Sequence, residues 1–155
     1  VPRRLGDEPL LVDASFVLGV LFREPLAVRF TEALERASIV DVNLGEVFCK
    51  VAEKVQVAPK DVGAALQAKG LKVVSVRPSG AAMVPLLKKL DRELRERHRQ
   101  QGWPPSDIKS LSLADVACLA TALDRELVVL TGDKHWTTLG LAARVEDYRD
   151  PDVLP

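Results

Sequence analysis

The chain has 155 residues, 47% apolar and 28% charged, and its 22 basic and 22 acidic side chains cancel to zero net charge. That length suits one domain, taken as 1–155, with enough core to fold on its own. A neutral chain gives no overall electrostatic case for nucleic acid, and no stretch approaches a membrane span or a secretory signal. The expectation is a soluble cytoplasmic protein.

Leu10-Leu11-Val12 is an apolar run that reads as a buried first strand, with Asp13 at its carboxyl end and Ser15 just beyond. An acid after a strand is ordinarily a helix N-cap. A helix follows over 16–22 and is broken at Arg23-Glu24-Pro25. Apolar residues at 26, 27, 30, 34 and 37 then predict an amphipathic helix over 26–37. Ser38-Ile39-Val40 is the next strand, and a helix is predicted from 44 to about 55. Its start, Asn43-Leu44-Gly45-Glu46, has the spacing of a capping box.

Pro59 opens another helix, stopped by Gly70. Valine-rich 71–76 reads as a strand, 78–80 as a turn, and 82–97 as a long helix. Residues 88–99 carry six Lys or Arg against three acids. A solvated helix face laced with i,i+4 pairs is the first reading of that run, and a phosphate-contacting patch the sharper one. Gly102, Pro104 and Pro105 make 100–108 a loop anchored by Trp103. Cys49 and Cys118 read as small buried thiols, and no Cys/His spacing resembles a zinc site.

Residues 111–123 form a helix that is apolar almost all round, with one charge, Asp115, near its start. Such a helix is buried, and a buried carboxylate needs a partner. Ser112-Leu113-Ala114-Asp115 also fits a capping box. Glu126-Leu127-Val128-Val129-Leu130 is a strand ending in Thr131-Gly132-Asp133. A short helix over 134–139 with Trp136 packed, a last strand over 142–145 and a loosely held acidic tail over 146–155 complete the chain.

Alternation of strands and helices predicts an α/β fold with a mainly parallel central sheet. In such sheets, functional groups gather at the carboxyl ends of the strands. Asp13 and Asp133 fall at strand ends, and Glu46 and Asp115 in the first turns of helices. Four acids there form a cluster that a hard divalent ion, Mg²⁺ or Mn²⁺, would neutralise through oxygen ligands. Such an ion supports phosphodiester hydrolysis.

Val12-Asp13-Ala14-Ser15, Leu21-Phe22-Arg23-Glu24-Pro25, Asn43-Leu44-Gly45-Glu46-Val47, Leu111-Ser112-Leu113-Ala114-Asp115 with Cys118-Leu119-Ala120, and Leu130-Thr131-Gly132-Asp133 follow one another in order. This ordered set resembles the PIN-domain ribonucleases, specifically VapC-like toxins of bacterial toxin–antitoxin pairs. The resemblance implies a PIN-like fold, a three-layer α/β/α arrangement with the sheet between helices, and a metal-dependent endoribonuclease. It carries Asp13, Glu46, Asp115 and Asp133 over as catalytic, metal-holding acids, supported by Ser15 and Thr131. It also implies an RNA substrate, a cognate antitoxin and a homodimer. Lys134, His135 and Trp136 depart from the family pattern, which often has a further acid there. Two other readings compete: a non-catalytic PIN-like binding module, and an aspartyl phosphoryl-transfer enzyme. The second fits worse, because Ser15 stands where a haloacid-dehalogenase-like site wants an acid.

Overall fold

The computed structural model describes residues 1–155. Strand β2 (Leu10–Val12) is wholly buried and lies at the centre of the sheet. Three successive apolar side chains can all be buried only if both sheet faces are covered. They are: Leu10 and Val12 point into one core and Leu11 into the other. The same alternation recurs in β5 (Val128–Thr131), where Val128 and Leu130 face the first core and Val129 the second. Each such leucine contributes roughly 1.5–3 kcal/mol by leaving water.

Around β2 the order is β4-β3-β2-β5-β6, with β3 spanning Ala37–Val40, β4 Lys72–Val74 and β6 Val145–Asp147. All neighbouring pairs are parallel, with Val12 opposite Ile39 on one side and Leu130 on the other. The chain builds outward from β2 to β4, then returns to build β5 and β6 on the opposite side. The switch point lies between β2 and β5, so a crevice opens beyond their carboxyl ends. Helices α1 (Ala14–Leu21), α3 (Asp41–Val55) and α4 (Pro59–Ala68) cover the first face with Phe16, Val47 and Leu66. The second face is covered by α6 (Val84–Gln100) and α7 (Leu113–Arg125), with Leu87, Leu94 and Leu119. Two four-residue helices, α2 (Pro25–Val28) and α5 (Pro78–Ala81), occupy connections. No helix is long and apolar enough to cross a membrane.

Several expected elements differ. The helix over 26–37 is instead α2 followed by a 3-10 helix over Thr31–Arg36. The Thr31 hydroxyl donates to the Val28 carbonyl at 2.8 Å and competes with regular helical bonding there. The turn at 78–80 is helical, and the long helix starts at 84 and runs to 100. Strands β4, β5 and β6 are shifted or shortened against 71–76, 126–130 and 142–145. Glu126 is no strand residue; it caps α7 in the left-handed conformation, φ 53°. Cys49 is exposed, not buried.

The tail is held, contrary to expectation. Its β7 (Val153–Leu154) pairs in parallel with β1 (Arg3–Arg4). Glu146 accepts from Arg144 at 2.7 Å and pairs with Arg3 at 3.5 Å, so the acids that suggested a loose end are neutralised. Tyr148 is fully buried against Phe16, and its hydroxyl donates to Glu24 Oε2 at 2.9 Å. Tyr148→Phe is expected to cost about 1 kcal/mol, the worth of one such hydrogen bond, measured by urea unfolding. A loss near zero would mean that the hydroxyl contributes nothing to holding the tail.

Candidate active site

Asp13 follows β2 and is the N-cap of α1, at the carboxyl end of the central strand where the crevice opens. It is only 6% exposed and caps α1, Oδ1 accepting the Phe16 N–H at 3.2 Å. The Ser15 hydroxyl lies 2.7 and 2.8 Å from its two oxygens, and Thr131, the last residue of β5, donates to Oδ2 at 3.0 Å. Ser15 Oγ accepts the Gly132 N–H, and Thr131 Oγ1 accepts the Asp133 N–H. Two hydroxyls thus tie the ends of the two central strands to one carboxylate. Burial pushes the Asp13 carboxyl up to about 6, against those hydrogen bonds, and the neighbouring Asp115 pushes the same way.

Asp115 sits in the first turn of α7. The capping box is formed: Ser112 Oγ accepts the Asp115 N–H at 3.1 Å, and the Ser112 N–H donates to Asp115 Oδ2 at 2.7 Å. Its carboxyl is nonetheless raised, first by burial and further by Asp133, with His135 acting oppositely. Capping and membership of the acidic cluster therefore coexist in one side chain. Ser112→Ala is expected to cost about 1 kcal/mol in thermal or chemical unfolding, the usual worth of an N-cap. An unchanged midpoint would mean that Asp115 is held without the box.

Glu46 is exposed, one turn into α3, and its carboxyl is raised by partial burial and then by Asp115. The box expected at Asn43 does not form, because α3 already begins at Asp41 with no side-chain cap from Val40. Asn43 is instead buried, and its Nδ2 donates to the Ala114 carbonyl at 3.3 Å and reaches Glu46 Oε2 at 3.5 Å. This amide joins the N-terminal turns of α3 and α7 and so brings Glu46 toward Asp115. Asn43 Oδ1 is buried without a donor. Asp133 follows β5, and its Oδ1 accepts the His135 N–H at 3.0 Å, capping a 3-10 turn.

Asp115 is thus the hub: it is electrostatically linked to Asp13, Glu46 and Asp133. Beneath the cluster lies Cys118, one turn further along α7. Its buried thiol is driven well above the usual range by desolvation and then by Asp13, Asp115 and Glu46. It stays a neutral thiol. No three His, Cys, Asp or Glu side chains are drawn close enough, as they stand, to form a metal site.

Nothing in the sequence pattern reveals the contacts that the tail makes behind Asp13. Arg149 grips Glu24 through two nitrogens, at 2.8 and 3.1 Å, and donates to the Gly132 carbonyl at 3.0 Å. Gly132 leaves room for the Tyr148 ring, which a Cβ there would meet at 2.7 Å. The same Gly132 supplies the N–H to Ser15, so the tail braces the Asp13 network from behind. Glu24 and Gly132 lie in the matched motifs, but nothing in their spacing points to Tyr148 or Arg149.

The PIN domain model matches residues 10–140. Among solved structures, the DNA-bound VapBC from Salmonella typhimurium is similar at a TM-score of 0.60 and 18% identity, over 91% of this chain and 98% of that one. VapC20 of Mycobacterium tuberculosis, a Sarcin-Ricin loop cleaving toxin, gives 0.57 and 15%, over 86% and 96%. FitAcB from Neisseria gonorrhoeae gives 0.57 and 19%, over 90% and 97%. No curated protein matches the chain. These similarities establish a shared fold, and the family model spans most of the chain from β2 past the turn after β5. The chain belongs to the PIN-domain family.

Proposed function

We propose that the protein is a metal-dependent endoribonuclease, the toxin of a toxin–antitoxin pair, with Asp13, Glu46, Asp115 and Asp133 as its acidic site. The observation that carries this reading is the buried Asp13 carboxylate, tied by Ser15 and Thr131 to the ends of β2 and β5 at the switch point of a PIN-family sheet, with Asp13, Glu46 and Asp115 all raised first by burial and the charge of Asp115 adding to the shifts of Asp13 and Glu46. Burying like charges together is costly unless a cation joins them. The donors fit a hard dication: all are carboxylate oxygens, the one nearby thiol is neutral, and Asn43 Oδ1 is an acceptor lacking a donor. The four acids would hold Mg²⁺ or Mn²⁺. Such an ion supplies charge neutralisation at a phosphodiester and lowers the pKa of an attacking water.

The chain's own residues do the rest. Ser15 and Thr131 fix the orientation of Asp13, and the two central strands make that position rigid. Ser112 holds one oxygen of Asp115, leaving the other free for the site. Half-exposed Asp133 and exposed Glu46 are the members of the set open to solvent, where an RNA backbone would approach. The similar solved structures include toxin–antitoxin complexes, which supports an antitoxin partner for this chain; a homodimer belongs to the same reading.

Incubating the purified protein with single-stranded RNA and Mn²⁺ tests the reading. Endonucleolytic fragments with 5′-phosphate ends, lost in EDTA and restored by Mn²⁺, are expected. Intact RNA under all conditions would leave a binding module.

A further inference from the structure

Trp103 is 44% exposed, although it is a large apolar side chain in a chain with few aromatic residues. One face of its indole is stacked on His98, with ring centroids 3.9 Å apart and planes within 5°. His98 is itself buried on α6, 8% exposed, so the indole rests on a rigid support. The Trp103 backbone N–H donates to the His98 carbonyl at 3.0 Å, which fixes the loop on the helix end. The His98 ring lies 6.5 Å from that of His135, whose backbone N–H is held by Asp133 of the acidic cluster. The platform is thus linked through His98 and His135 to the turn that carries Asp133.

Exposed charges adjoin the platform along the chain, the acids Glu96 and Asp107 among them. Arg97 and Arg99 are exposed on the last turn of α6, and Arg97 makes no ion pair. Lys109, also exposed and unpaired, precedes Leu111, whose N–H donates to the buried Asp91 of α6 at 3.2 Å. A flat aromatic surface flanked by free cations is the equipment that binds single-stranded nucleic acid, the ring stacking a base and the cations tracking phosphates.

We propose that Trp103 is a base-stacking platform for single-stranded RNA, holding one unpaired nucleobase beside the acidic cluster while Arg97 and Lys109 contact the flanking phosphates. This rests on the nuclease reading and adds to it a subsite outside the metal-holding acids. Stacking is indifferent to hydrogen-bonding pattern, so the subsite selects unpaired over paired RNA more than one base over another.

The test is a low-salt titration in EDTA, where no cleavage occurs, with a single-stranded RNA of about ten nucleotides and its abasic ribose-phosphate counterpart. Trp103 emission reports stacking directly, since the other tryptophan, Trp136, is fully buried. The intact strand is expected to quench it and to bind roughly tenfold tighter than the abasic one, toward the low end of base–aromatic stacking. In Trp103→Ala the two strands should bind alike, and Trp103→Phe should recover most of the difference. Equal binding of both strands to the wild-type protein overturns the proposal, as does an undiminished preference in Trp103→Ala. Cleavage with Mn²⁺ is scored separately. Cleaved RNA without base-dependent binding removes the platform alone, whereas base-dependent binding without cleavage keeps the platform and removes the nuclease.

Discussion

Asp115→Asn is expected to abolish RNA cleavage and leave the fold at least as stable as before. The carboxylate has two separable jobs. As a cap, it accepts the Ser112 N–H through Oδ2, and an amide oxygen can do the same. As the hub of the acidic cluster it contributes a charge, which an amide cannot replace. Losing one charge-stabilising group from a hydrolytic site costs roughly 10²–10³-fold in rate. Losing the hub, which touches the electrostatics of Asp13 and Glu46 and is itself raised by Asp133, should cost at least that. The measurements are initial rates on end-labelled RNA with Mn²⁺, calorimetric Mn²⁺ titration, and a thermal melt. A variant that cleaves at the wild-type rate after metal stripping and Mn²⁺ readdition would return Asp115 to a purely structural cap. A variant that melts well below the wild type would show that the charge, not the cap, supports the fold.

Metal-free protein is expected to lose stability as pH rises from about 4 to above 6, and a divalent cation should cancel the loss. The sign follows from Asp13. Its carboxyl titrates near 6 in the folded chain and near 3.9 when unfolded, so the folded state binds the extra proton between those values. The stabilisation is complete below the unfolded value and is lost as pH passes the folded one. Two units correspond to about 3 kcal/mol, or roughly 6–12 °C in Tm for a domain of this size. Glu46 and Asp115 are raised as well and act in the same direction. Glu24, lowered first by its hydrogen bond from Arg149, acts in the opposite one and loses its contribution as pH falls. The informative quantity is therefore the wild-type melting curve minus that of Asp13→Asn, recorded in EDTA from pH 4 to 8. The difference should shrink toward zero at low pH and favour the variant above 6. A pH-independent difference would place Asp13 outside the buried, charge-strained cluster.

Much of this architecture was legible because β2 and β5 are apolar runs that end abruptly in polar residues. A strand that needs cover on both faces announces a sandwiched parallel sheet, and the acid after it marks the open edge. Asp13 and Asp133 were placed by that logic. What a one-dimensional pattern could not show was contact between distant segments. The joining of α3 to α7 by Asn43 and Ala114 depends on two residues 71 positions apart, and Asn43 looked like a cap because its spacing to Glu46 is that of a box. The tail misled through composition: prolines and acids suggested a loose end, yet Arg3 and Arg144 meet Glu146, and the tail's own Arg149 fastens it to the Gly132 carbonyl. The helical spacing over 26–37 was real, but hydroxyl competition at Thr31 broke its regularity.

The contrast between the two thiols has a practical outcome. Cys118 lies sealed under the carboxylates and stays protonated, whereas Cys49 is open to solvent on α3, about one helical turn beyond Glu46. Under native conditions a maleimide dye should couple to Cys49 alone, giving a single reporter close to the mouth of the crevice without any engineered attachment point.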